Sequence, residues 1–141
     1  MKLTEGEALS RLASYDHGVL ATVHADRGVD AIPVVYTVTG DFVGVPVDRV
    51  KPKSSSRLQR EVNLEADPRA SLLIEHWDRN DWSKLWWVRA ELHYEGAEAS
   101  ERSAALAARL AGVFDQYRDK PFAGMLVLRI AAVSGWSANT A

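Results

Sequence analysis

Cysteine is absent from the 141 residues, which excludes disulfide frameworks, thiolate metal sites and thiol nucleophiles. Long apolar runs are missing too. None approaches the roughly 18 residues of a membrane span, and MKLTEGEALS at the start lacks the apolar segment of a secretory leader; the expectation is a cytoplasmic protein. Charge of neither sign dominates. Seventeen Lys and Arg stand against 19 Asp and Glu, for a net charge of −2, where a general nucleic-acid binder would carry a wide basic surface. Glycines occur singly, so there is no phosphate-cradling Walker loop, dinucleotide fingerprint or nucleophile elbow. The four histidines, His17, His24, His76 and His93, form no His-x-x-x-His or Glu-x-x-His pair, and no metal site is expected. No side-chain constellation identifies a catalytic residue.

What is present is an ordinary globular composition, 47% hydrophobic and 26% charged, in a length suited to one domain covering residues 1–141. Thr4 and Glu7 have capping-box spacing, and Leu9, Leu12 and Ala13 supply one apolar face, which predicts a helix over 5–14. Strands are predicted over 18–23, 29–38 and 42–47, separated by the turns 25–28 and 39–41, as a three-strand meander. Asp26-Arg27-Gly28 reads as turn chemistry. Pro33 and Pro46 mark an edge, a bulge or a strand end, places open to a ligand or blunted against aggregation. A helix follows over 54–65, with Leu58, Val62 and Leu64 or Glu65 marking its apolar boundary. Strands over 70–77 and 85–94, a long helix over 98–117 and a last strand over 125–132 complete the chain. Six strands with three helices in this order point to a predominantly antiparallel α+β sheet or barrel.

Two stretches carry functional content. The segment from Asp48 to Asp67 brings Arg49, Lys51 and Lys53 into Ser54-Ser55-Ser56 and then a helix bearing Arg57 and Arg60. Cations, hydroxyls and the free N–H groups of a helix start make an anion site; a solvated basic loop has the same composition. The second stretch is Leu85-Trp86-Trp87-Val88-Arg89. Alternation puts Trp87 and Arg89 on one face and Trp86 and Val88 on the other. Both faces therefore need cover, from a partner subunit or a flat ligand, or from a sheet and a helix around a core strand. Without catalytic side chains, an enzyme built this way would take its chemistry from a cofactor.

The ordered set GVLATVH (18–24), IPV (32–34), DRVKPKS (48–54), NLEADPRASLL (63–73), WSKLWWVR (82–89) and GWSA (135–138) resembles the pyridoxamine 5'-phosphate oxidase-like FMN-binding split β-barrel family. Within it the chain looks most like oxidoreductases dependent on the deazaflavin coenzyme F420. The resemblance implies a six-stranded antiparallel split β-barrel with three flanking helices, forming a homodimer with cofactor sites at the subunit interface. It implies a tail anchored by Lys51, Pro52, Lys53, Ser54 and Arg57, a ring resting near Pro33, Val34 and Val35, and a pocket completed by Trp86, Trp87 and Arg89, with Trp136 closing it. Relatives often have Thr or Arg where this chain has Ser55 or Ser56. The implied activity is hydride transfer between deazaflavin and a small conjugated substrate, the cationic segment suiting an anionic polyglutamate tail. FMN in the same role, or a carrier of F420 or haem, are the alternatives; no histidine falls in the predicted groove segments.

Overall fold

The computed structural model describes residues 1–48, 58–96, 101–115 and 122–139. Helix α1 (Glu5–Ser14) starts as its spacing requires. The Glu7 N–H donates to Thr4 Oγ1 at 3.1 Å, and the Thr4 N–H donates to Glu7 Oε1 at 2.9 Å. Its buried side is Ala8 and Leu12; of the expected face only Leu12 is fully buried, Leu9 being half-buried and Ala13 exposed.

Seven strands follow in one antiparallel sheet: β1 (His17–His24), β2 (Gly28–Val35), β3 (Thr37–Thr39), β4 (Phe42–Asp48), β5 (Arg69–His76), β6 (Trp86–Gly96) and β7 (Phe122–Ser137), in spatial order β2-β1-β5-β6-β7-β4-β3. The meander expected from the first three strand-like runs does not form. The run 29–38 breaks at Tyr36, so that its first part pairs with β1 and its last part pairs with β4 at the opposite edge of the sheet. This accounts for seven strands instead of six. The break has a physical cause in Tyr36 itself. Its N–H donates to the Asp16 carbonyl at 2.9 Å, and its buried hydroxyl donates to the Leu12 carbonyl at 2.6 Å, tying the corner to the end of α1. The chain thus links both edges of a curled sheet, while β2 and β4 share no ladder. The architecture is an α+β split barrel.

Helix α2 (Gln59–Ala66) lies across this split. Arg60 Nη2 donates to the Pro46 carbonyl of β4 at 3.4 Å, and Asn63 Nδ2 reaches Thr22 of β1 and Asp30 of β2, each at 2.9 Å. Its buried side is Glu61, Asn63 and Leu64, whereas Val62 is exposed. Of the expected apolar boundary, Leu64 is buried in the barrel core and Leu58 packs against it, whereas Val62 is turned outward, because the hydrogen bonds of Asn63 to the sheet act with Leu64 to orient this helix. Residues 54–57 of the expected helix lie outside the described residues.

The barrel interior is one core that includes Leu20, Val34, Tyr36, Leu72, Val88 and Leu126. A second, smaller core forms on the outer side of the sheet, where Leu106 and Leu110 of helix α3 (Glu101–Val113) meet Met125 and Val127 of β7. Burial of β7 on both faces explains the uninterrupted apolar run Met125-Leu126-Val127-Leu128. Gly44 lets α3 come this close: a Cβ there would lie 2.9 Å from Leu106 Cβ. β7 also runs further than its sequence suggests, to Ser137, because β6 pairs with it as far as Trp86 and residues 1–3 bond to its other side, with the Leu3 N–H donating to the Gly135 carbonyl at 2.9 Å.

Candidate functional site

A cleft of about 350 Å³ opens between the β1–β2 hairpin and the first turn of α2. That volume lies at the lower end of the roughly 300–1,000 Å³ typical of small-molecule sites. Thr22, Arg27, Asp30 and Ile32 line the hairpin side; Leu58, Gln59 and Arg60 line the helix side. Leu58 is the N-cap of α2 and directly follows the basic segment in the chain, so the cleft begins where that segment ends.

The cleft floor is a polar network. Arg27 grips the Asp30 carboxylate through Nε and Nη2 at 2.9–3.2 Å. Asn63 adds its amide to Asp30 Oδ2 and to Thr22 Oγ1, and Gln59 Nε2 donates to Asn63 Oδ1 at 2.9 Å. Asp30 is held below the usual carboxylate range, first by its hydrogen bonds from Arg27 and then by that from Asn63. The hairpin turn that presents Arg27 is itself capped, with His24 Nδ1 accepting from the N–H groups of Asp26 and Arg27 at 3.0 Å each. Arg27 therefore both serves the turn, as its sequence context suggested, and neutralises the one carboxylate in the cleft wall.

Where do the residues implied by the family resemblance fall? Lys51, Pro52, Lys53, Ser54 and Arg57 lie outside the described residues. Pro33, Val34 and Val35 are in three surroundings: Pro33 is exposed opposite Val19 on the outer face, Val34 is in the barrel core, and Val35 packs on the smaller core around α3. Trp86 points into the barrel side, edge-on to Tyr15 with centroids 5.0 Å apart and with the Arg11 guanidinium 4.8 Å above it. Trp87 points outward, with the Arg89 guanidinium 5.5 Å from its centroid, and pairs in register with Trp136. The structure thus brings Trp87, Arg89 and Trp136 together on the outer face, and separates them from Trp86 and Val34.

That outer face is half covered. Helix α3 closes it over β3, β4, the first half of β7 and the end of β2 at Val35, and among the described residues no helix lies there over the rest of β2 or over β1, β5 and β6. Val19 and Leu73, adjacent in register, are each 40% exposed, Val29 is 68% exposed and Trp136 36%.

Thr22, Asp30 and Asn63 were not singled out by sequence pattern. A signal existed for two of them: Thr22 and Asp30 are polar residues within apolar strand runs, at positions that prove to face inward, while Asn63 sits in a largely polar helix. Nothing local says that the three meet, since Thr22 and Asn63 are 41 residues apart. Among the described residues no group of three or more His, Cys, Asp or Glu is placed to hold a metal.

No protein-family model matches the chain, and no curated protein matches it in sequence. Solved structures do match in fold. A FAD-binding protein of Mesorhizobium loti superposes with a TM-score of 0.72 at 17% identity, over 96% of this chain and 95% of the other. A conserved hypothetical protein of Mycobacterium tuberculosis gives 0.74 at 23%, over 96% and 86%. An FMN-binding protein of Syntrophomonas wolfei gives 0.67 at 17%, over 94% and 88%. Haem-binding and haem-storage proteins, from Mycobacterium smegmatis and Vibrio cholerae, share the fold as well. These similarities establish the split-barrel fold.

Proposed function

We propose that this chain binds a flavin-type redox cofactor through its phosphate-bearing tail and acts as an oxidoreductase of the split-barrel class. The observation that carries the reading is the junction of cleft and cationic segment: Leu58, Gln59 and Arg60 line the cleft, and the residues just before them are Lys51, Pro52, Lys53, Ser54 and Arg57. The residues present fit such a group. Thr22, Asp30, Gln59 and Arg60 bring polar groups to the cleft, its carboxylate is neutralised by Arg27, and its volume suits a tail while leaving the ring to lie beyond it. Hydride chemistry would come from the cofactor; the chain supplies anchoring, orientation and electrostatics.

FMN- and FAD-binding neighbours favour a flavin. Coenzyme F420 is the finer reading, supported by five cations between Arg49 and Arg60, more than a single phosphate requires. Haem has support from two neighbours of the same fold. The half-bare outer face supports the homodimer, in which Trp87, Arg89 and Trp136 would meet a partner subunit or the cofactor ring.

Fluorescence titration of the protein with FMN and with coenzyme F420, alongside absorbance titration with haemin, separates these readings. Saturable binding of FMN or F420 is expected. Binding of haemin alone would overturn the flavin reading, and binding of FMN without F420 would overturn the finer one. Replacing both Lys51 and Lys53 by Ala should weaken cofactor binding about tenfold or more, since a charge-assisted hydrogen bond is worth ~1.5–3 kcal/mol. A change below about twofold would return that segment to a solvated surface.

A further inference from the structure

We propose that Thr22 donates a hydrogen bond from the cleft floor to an anionic oxygen of the ligand. The inference rests on the cofactor reading above and assigns it a contact that the basic segment does not supply. Asp30, being ionised, can only accept. The NH₂ end of the Asn63 amide must therefore face it, and the same nitrogen donates to Thr22 Oγ1 at 2.9 Å. The carbonyl end of Asn63 is taken by Gln59 Nε2. Every step in the relay Arg27–Asp30–Asn63–Thr22 thus has one direction, fixed at its start by a salt bridge.

The consequence falls on the Thr22 hydroxyl. Its oxygen already accepts from Asn63, so its proton must go elsewhere, and no acceptor for it lies among the described residues. Thr22 is only 3% exposed, yet it lines the cleft. A buried hydroxyl with an unspent proton favours a ligand atom that accepts. A charged acceptor is not opposed, because the Asp30 carboxylate in the cleft wall is compensated by Arg27. The chemical class is a phosphate or carboxylate oxygen, such as the tail of FMN or coenzyme F420 would bring.

The test is titration of the wild-type protein, Thr22→Val and Thr22→Ser with FMN and with coenzyme F420. Thr22→Val keeps the shape and loses the donor; Thr22→Ser keeps the donor. For whichever probe the wild type binds, Thr22→Val should weaken binding about tenfold or more, and Thr22→Ser should recover to within about twofold of wild type. Unchanged affinity in Thr22→Val would overturn the Thr22 assignment while leaving the cofactor reading intact. Failure of the wild type to bind either probe would overturn both. Thr22→Val also removes an acceptor from Asn63, so the wild-type methyl NMR spectrum provides a measurement independent of that variant's folding. The Thr22 methyl should shift saturably with the bound probe, and a resonance that stays still at saturation overturns the contact.

Discussion

Tyr36 concentrates several demands in one side chain. Its backbone turns the chain from one sheet edge to the other, and its hydroxyl satisfies a carbonyl in the last turn of α1. Burial, followed by the charge of Asp16, pushes its phenol well above the ordinary 10.0. The sign of the linkage follows: the folded state keeps the proton where the unfolded state loses it. Stability is therefore full below about pH 10 and falls as pH rises beyond it. Tyr36→Phe should abolish that alkaline slope and cost about 1–2 kcal/mol at neutral pH, both measurable by denaturant titration across pH. Gly18 makes a second test at this scale. A Cβ there would sit 2.6 Å from the Leu73 carbonyl oxygen, a backbone atom that cannot swing away. Gly18→Ala should destabilise by about 1–3 kcal/mol through overpacking, seen as a lower thermal midpoint. Glycine's need at this position is invisible in the strand pattern, because the atom it avoids belongs to residue 73.

At the scale of elements, the two helices after α1 are held by different forces. α3 is held by apolar contact through Leu106 and Leu110 over Gly44. Leu106→Ala should therefore cost about 2–5 kcal/mol. The loss should appear first as faster hydrogen exchange in α3 and the first half of β7, since their core is separate from the barrel's. α2 is held by Arg60, Asn63 and Leu64 across the split. Periodicity identified α3 through Leu106 and Leu110, which are buried, but the helix ends at Val113, itself exposed, short of the expected residue 117. In α2 periodicity found Leu64 but not its buried neighbour Asn63, because a polar side chain leaves no mark in an apolar pattern. Element order and most boundaries were legible, α1 and its capping box most of all. The corner at Tyr36 was not: a strand that changes partners has the same alternation as one that does not.

For the whole molecule, the unresolved demand is the outer face left bare by α3. Val19 and Leu73 side by side, with Val29 and Trp136 on the same face, expose apolar surface that a monomer would hold against water, and apolar exposure of this kind marks an interface. The homodimer proposed here should be visible as a dimer by sedimentation velocity at micromolar concentration. Placing charge in the patch with Val19→Glu and Leu73→Glu together should convert it to monomer while the circular dichroism spectrum persists. A monomeric wild type would sink the dimer.

The sequence by itself determined the class of fold, the order of helices and strands, the absence of thiol chemistry and the position of a cationic segment beside a helix. These depend on composition and on contacts within a few residues, which local pattern records. Only the tertiary structure decided that β2 and β3 lie at opposite edges, that α2 crosses the split, and that of the two faces alternation assigns to Trp86 and Trp87 the one bearing Trp86 is the barrel side. The cleft floor belongs to the same group. Thr22, Asp30 and Asn63 acquire their roles because a curled sheet brings a hairpin against a helix some thirty or more residues later, and hydrogen bonds over that separation leave no periodic trace in the chain.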